Sequence, residues 1–85
     1  MQKSIHTPEY RALRVELVQA RNDAGLSQRE IASRLNVAPS WVAKVESGER
    51  RIDLVEFFWF LAACHADPMS PLQRVAGKAA KGGRK

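Results

Sequence analysis

A single cysteine, Cys64, in 85 residues leaves no intramolecular disulfide to form, and no Cys/His cluster has the spacing of a zinc site. The chain also lacks a long apolar run. Its longest stretch without a charge, FFWFLAACHA from Phe57 to Ala66, falls well short of the ~20 apolar residues that cross a bilayer. The polar opening MQKSIHTPEY has no signal-peptide layout. These absences point to a soluble chain in a reducing, cytoplasmic setting. No nucleophile stands beside a base, and there are no paired carboxylates and no Gly-rich phosphate loop, so no enzyme, cofactor or small-molecule ligand is expected. His6 and His65 have no ligand-type companions, which argues against a metal.

Acid is missing from the end of the chain. Residues 68–85 hold five Lys/Arg and no Asp/Glu, whereas residues 1–67 hold nine of each, so the formal charge of +5 comes entirely from the tail. Net charge alone is therefore weak evidence for a nucleic-acid partner. Regional charge says more: residues 27–51 have five basic residues against three acids, and residues 53–67 have three acids and no Lys or Arg. An anionic partner should meet the middle segment or the tail.

With 85 residues the chain can build one small domain, and a helical bundle is the natural solution. Thr7-Pro8 reads as N-cap and first helical position of a helix in which Leu13, Leu17 and Ala20 recur until Gly25. Ser27-Gln-Arg-Glu30 is a capping box with Leu26 and Ile31 at staple positions, and it starts a second helix that runs to about Leu35. Asn36 tolerates the left-handed conformation of a tight turn, and Pro39 restarts the chain as a third helix ending near Gly48. Asp53 with Glu56 caps a fourth, which runs to about Cys64. A fifth begins at Asp67-Pro68 or Ser70-Pro71 and is expected to fade by Gly77. This divides the chain into an N-terminal arm over 1–6, a domain over 7–77 and a disordered basic tail over 78–85.

Between Gln28 and Ser47 the apolar residues Ile31, Ala32, Leu35, Val37, Val42 and Val45 are spaced for two short helices that cross closely, with Ala32 small at the crossing. Such a pair is a helix-turn-helix, whose second helix can enter the DNA major groove. The stretch GLSQREIASRLNVAPSWVAKVESGERRIDLVEF, continuing to DP, resembles the Cro/CI-like (Xre) family of helix-turn-helix transcriptional regulators. The resemblance covers about residues 21–68 and implies an all-α, compact five-helix, lambda-repressor-like domain. Three positions depart from the family pattern. Asn36 stands where Gly is frequent. Ala38 replaces a Ser or Thr cap, a loss of roughly 1 kcal/mol. His65 replaces the Gly that commonly ends helix 4, so that end is expected to be built differently.

The resemblance assigns base contacts to Pro39, Ser40 and Lys44 on the third helix. Lys44 can donate to guanine, Ser40 can pair with several base edges, and Pro39 or Ala43 can touch a thymine methyl. This edge has no Gln, Asn or Arg, so apolar contact and DNA shape should carry more of the specificity. By the same resemblance Gln28, Ser47, Arg50 and Arg51 hold phosphates, and Arg21 pairs with Glu46 to tie helix 1 to helix 3. Trp41 is either a DNA contact or a cover for the core. On helix 4, Leu54, Phe57, Phe58, Leu61 and Cys64 are expected to face inward, with Val55, Trp59 and Ala62 as a second stripe. Either helix 5 or the N-terminal arm covers that stripe, or it is a homodimer interface.

The expected function is a sequence-specific regulator of double-stranded DNA, most simply a repressor bound as a homodimer to an inverted repeat, in the cytoplasm at the nucleoid. A protein-interaction module of the antitoxin or hetero-partner adaptor kind, using the Val55/Trp59 face, is the alternative.

Overall fold

The computed structural model describes residues 7–82, which form five helices: α1 (Pro8–Asp23), α2 (Gln28–Leu35), α3 (Pro39–Ser47), α4 (Leu54–Ala63) and α5 (Met69–Gly82). Among the described residues there is no strand, and no helix is long and apolar enough to cross a membrane. The N-terminal arm over 1–6 and the last three residues of the expected tail lie outside the described residues.

The helix starts follow the capping signals. The Thr7 hydroxyl accepts from the Tyr10 amide at 3.1 Å. Ser27 and Glu30 form a complete capping box, as do Asp53 and Glu56. Hydrogen bonding to the Ser27 backbone and hydroxyl holds the Glu30 carboxyl below its ordinary pKa. α3 has only Ala38 before it and no side-chain cap.

Helices α1 to α4 share one kind of ending. After each, a residue in the left-handed conformation (Gly25, Asn36, Gly48 or His65) reverses the chain, and the following amide donates back across the turn: Leu26 to Arg21, Val37 to Ala32, Glu49 to Lys44 and Ala66 to Leu61. His65, with φ of 55°, thus ends α4 as glycine would, contrary to the expectation of a different construction. The turn tolerates a Cβ there at some cost in strain. Replacing His65 with glycine should raise stability by about 0.5 to 1 kcal/mol, the strain relief being partly offset by the freer unfolded chain. Thermal unfolding by circular dichroism should show a melting point several degrees higher. No change or a fall would mean that the left-handed residue is unstrained.

These turns fold the helices around one core of Leu17, Ile31, Ala32, Val42, Val45, Ile52, Phe57, Phe60, Leu61 and Cys64. α1 packs against α3, α4 and α5, and α2 against α3 and α4. The Tyr10 hydroxyl accepts from the Ile52 amide at 2.8 Å, pinning the α3–α4 loop to α1. Burial pushes the Cys64 thiol above its ordinary pKa, as befits a small apolar core residue.

Two expectations need correction. The inner face of α4 is Phe57, Phe60, Leu61 and Cys64, while Leu54 and Phe58 point outward. All but one residue of this helix is apolar, so hydrophobic period alone does not fix which side faces in. α5 also runs through Gly77 to Gly82 instead of fading, so residues 78–82 are helical. A helix-interior glycine costs only about 1 kcal/mol, and the Ala and Lys after it are good helix formers.

α5 lies along α1, where Arg74 and Glu16 pair at 2.7 and 2.8 Å. It therefore does not cover Trp59, which is 60% exposed.

Candidate nucleic-acid interface

Val42 and Val45 are fully buried, and they fix how α3 is turned on the domain. At ~3.6 residues per turn the opposite line of the helix runs through Ser40, Lys44 and Ser47. All three are exposed, as is Pro39 at the helix start, and Ala43 on the flank is half-buried. The edge expected to read bases is therefore at the surface.

A polar network fixes α3 against α1 and α2. Arg21 Nε donates to Glu46 Oε2 at 2.6 Å and its Nη2 to Oε1 at 3.0 Å, while Nη1 donates to the Leu26 carbonyl at 2.8 Å. The Arg21 and Glu46 side chains are only 13% and 6% exposed. The bond to Glu46 raises the Arg21 guanidinium above its ordinary pKa, against an opposing effect of burial. A bidentate pair so shielded is worth more as an orienting device than as net stability, because its desolvation offsets much of its attraction. Arg14 reinforces the end of α3: it lies against Gly48 and its Nη1 donates to the Glu46 carbonyl at 3.3 Å.

The expected phosphate contacts divide by their surroundings. Gln28 Nε2 donates to Glu46 Oε1 at 2.8 Å, so one amide hydrogen joins the Arg21–Glu46 network and the second stays available. The Ser47 hydroxyl has a single hydrogen and two acceptors at 3.2 Å, the Lys44 carbonyl and Glu49 Oε2, and the second is a carboxylate that disfavours a nearby phosphate. Arg50 is engaged at home. Its guanidinium lies over the Trp41 ring at 5.1 Å, donates to the Arg51 carbonyl at 2.7 Å and is 3.6 Å from Glu56 Oε1. Arg51 is exposed, with its guanidinium 5.9 Å from the Tyr10 ring centre.

Of the two expected roles the structure shows the cover for the core: Trp41 is half-buried against it and carries Arg50 on its outer face. Arg29, passed over in the sequence, is exposed in the first turn of α2 beside Gln28. Its signal was present in the capping box itself, since the first turn of a helix is where backbone amides attract anions. Lys44, Arg29 and Arg51 thus supply positive charge on and beside the helix pair. Among the described residues no group of His, Cys, Asp or Glu is arranged to hold a metal ion.

Comparison with known proteins identifies the family to which this fold belongs. The helix-turn-helix domain family matches residues 12–69. Among solved structures, an XRE-family like protein from Pseudomonas syringae pv. tomato str. DC3000 is 39% identical, with a TM-score of 0.80 over 88% of this chain and 92% of that one. No curated protein matches. A helix-turn-helix match over most of the chain, joined to this structural likeness, means that the chain belongs to the XRE-type helix-turn-helix family of DNA-binding regulators.

Proposed function

We propose that this protein is a sequence-specific regulator that lays α3 in the major groove, binds an inverted repeat as a homodimer and acts most simply as a repressor by occupying promoter DNA. The observation that carries the reading is the exposed line of Ser40 and Lys44 on a helix whose opposite side, Val42 and Val45, is fully buried. Pro39, Ser40, Ala43 and Lys44 read base edges. Gln28, Arg29 and Arg51 hold phosphates, with Arg50 joining when it exchanges Trp41 and Glu56 for the DNA backbone. Phosphate contacts set register and affinity, while base contacts choose the sequence. The bare start of α3 adds the positive end of a helix dipole at the same edge.

Selection from a random duplex pool, followed by binding at several salt concentrations, tests this. The enriched sequence should be an inverted repeat with half-sites about one helical turn apart. Arg51→Ala should reduce the slope of log K against log salt by about one unit and leave the preferred sequence unchanged. Lys44→Ala should relax preference at one or two positions by about 1 to 3 kcal/mol each. A pool with no enriched motif, or a motif indifferent to Lys44→Ala, would remove α3 as the reader. Repression itself is read from a reporter under the selected site, which expression of the chain should silence.

The exposed Val55 and Trp59 favour a second reading, an adaptor that keeps this fold and binds a hetero-partner without reading DNA. That reading requires the selection to yield nothing.

A further inference from the structure

The exposed face of α4 is unpartnered among the described residues. Leu54, Val55, Phe58, Trp59 and Ala62 fall on one side of the helix at spacings of three, four and one, and all are exposed. The sequence suggested a narrower stripe of Val55, Trp59 and Ala62. Leu54 and Phe58 widen it.

We propose that a second copy of the chain docks here, α4 against α4 and antiparallel about a two-fold axis, with Arg34 of each copy meeting Asp53 of the other. This inference specifies the homodimer of the proposed function and rests on that reading. Charge commits the face to a second copy, and area and access are compatible with one.

At the N-terminal end of the stripe stands Asp53, exposed, with one carboxylate oxygen capping the Glu56 amide at 2.7 Å. At the other end Arg34 is exposed and donates from Nη1 to the Ala63 carbonyl at 2.8 Å. Arg34 also shares a surface depression with Leu35, Trp59 and Ala62, so it borders the apolar stripe directly. Two helices packed across a two-fold axis that passes between them at right angles run antiparallel, so the Asp53 end of each lies over the Arg34 end of the other. The end that holds Asp53 also carries Arg50 and Arg51, so the complementarity belongs to the Asp53 and Arg34 positions themselves.

The exposed parts of these side chains sum to on the order of 400 Å² per copy, about half of what each partner buries in a standard interface. A polar rim supplies the remainder in such interfaces, and Arg34 and Asp53 are well placed to begin it. α5 packs along α1, and among the described residues no element covers the α4 face.

Sedimentation equilibrium of the full chain without DNA, from micromolar to hundreds of micromolar, tests the proposal. The expected result is a monomer–dimer equilibrium that Trp59→Ala weakens about 100-fold, as truncation of a central aromatic anchor does. Val55→Glu provides a second disruption at an exposed position, with circular dichroism checking that both variants stay folded. Arg34→Glu should weaken the dimer about tenfold in the native background and clearly less with Asp53→Asn, a replacement that retains helix capping. A chain that stays monomeric throughout the range, or a dimer indifferent to Trp59→Ala and Val55→Glu, overturns the interface. Equal effects of Arg34→Glu in both backgrounds overturn the antiparallel arrangement. Binding to a duplex carrying a single half-site separates this inference from the DNA reading. Lys44-dependent binding by a persistent monomer sinks the interface and the homodimer but leaves α3 as the reader, whereas a dimer that ignores every duplex sinks the DNA reading and leaves the interface standing.

Discussion

Replacing Glu46 with alanine is expected to lower the unfolding free energy by about 3 kcal/mol, because it strands a largely buried guanidinium. In the native chain the Glu46 carboxylate accepts two bonds from Arg21 and one from Gln28. Without it Arg21 keeps only the Leu26 carbonyl, and the Gln28 amide must find water or turn outward. For a domain of this size the loss corresponds to a fall in melting temperature on the order of 10 to 20 °C. Removing both charges together, with Arg21→Met and Glu46→Leu, should recover much of that loss, since two well-packed apolar side chains avoid the desolvation of the pair. The bond to Glu46 raises the Arg21 pKa, so Arg21's contribution is fully present below the ordinary arginine value and disappears only at more alkaline pH. A melting point within two or so degrees of native for Glu46→Ala would show that the network is not what positions α3.

The second large effect distinguishes two neighbouring phenylalanines on α4. Phe60 is fully buried, whereas Phe58 is 36% exposed. Phe60→Ala should cost about 3 to 5 kcal/mol through lost burial and the cavity left behind. Phe58→Ala should cost the monomer no more than about 1 kcal/mol, because its ring already meets water and leaves no enclosed void. Urea titration of both variants checks the order at a concentration below that of association. Similar losses, or a larger one at Phe58, would mean that α4 is rotated from the orientation described here.

That pair of residues also marks the limit of the sequence. Where a helix carries polar residues on one side, as α2 does between its capping box and Leu35, the sequence dictates both its ends and its inward face. α4 reads LVEFFWFLAA, with Glu56 as its only polar residue, and such a string carries almost no angular information. Its start was legible through Asp53 and Glu56, but its rotation is decided by packing on Leu17, Ile31 and the rest of the core. The extent of α5 was hidden for a related reason, since one glycine is a weak stop among good helix formers.

The candidate nucleic-acid site divides in the same way. That Val42 and Val45 would turn Ser40 and Lys44 outward follows from local spacing, and the Arg21–Glu46 pair from family resemblance. The attachment of Arg50 to Trp41 and Glu56, and of Gln28 to Glu46, links side chains from different helices and loops. Such links depend on angles between elements, which no local pattern encodes.

The pairing of Arg50 with Trp41 has a practical consequence, given that the chain contains only two indoles. One lies beneath a cation at the edge of the candidate nucleic-acid surface, and the other is exposed on α4. If the proposals hold, departure of the guanidinium toward a backbone anion should change the emission of Trp41, whereas exclusion of solvent by a second copy should shift that of Trp59 to the blue. A Phe at either position isolates the remaining signal, so the two molecular encounters are separable by colour and intensity without any attached dye.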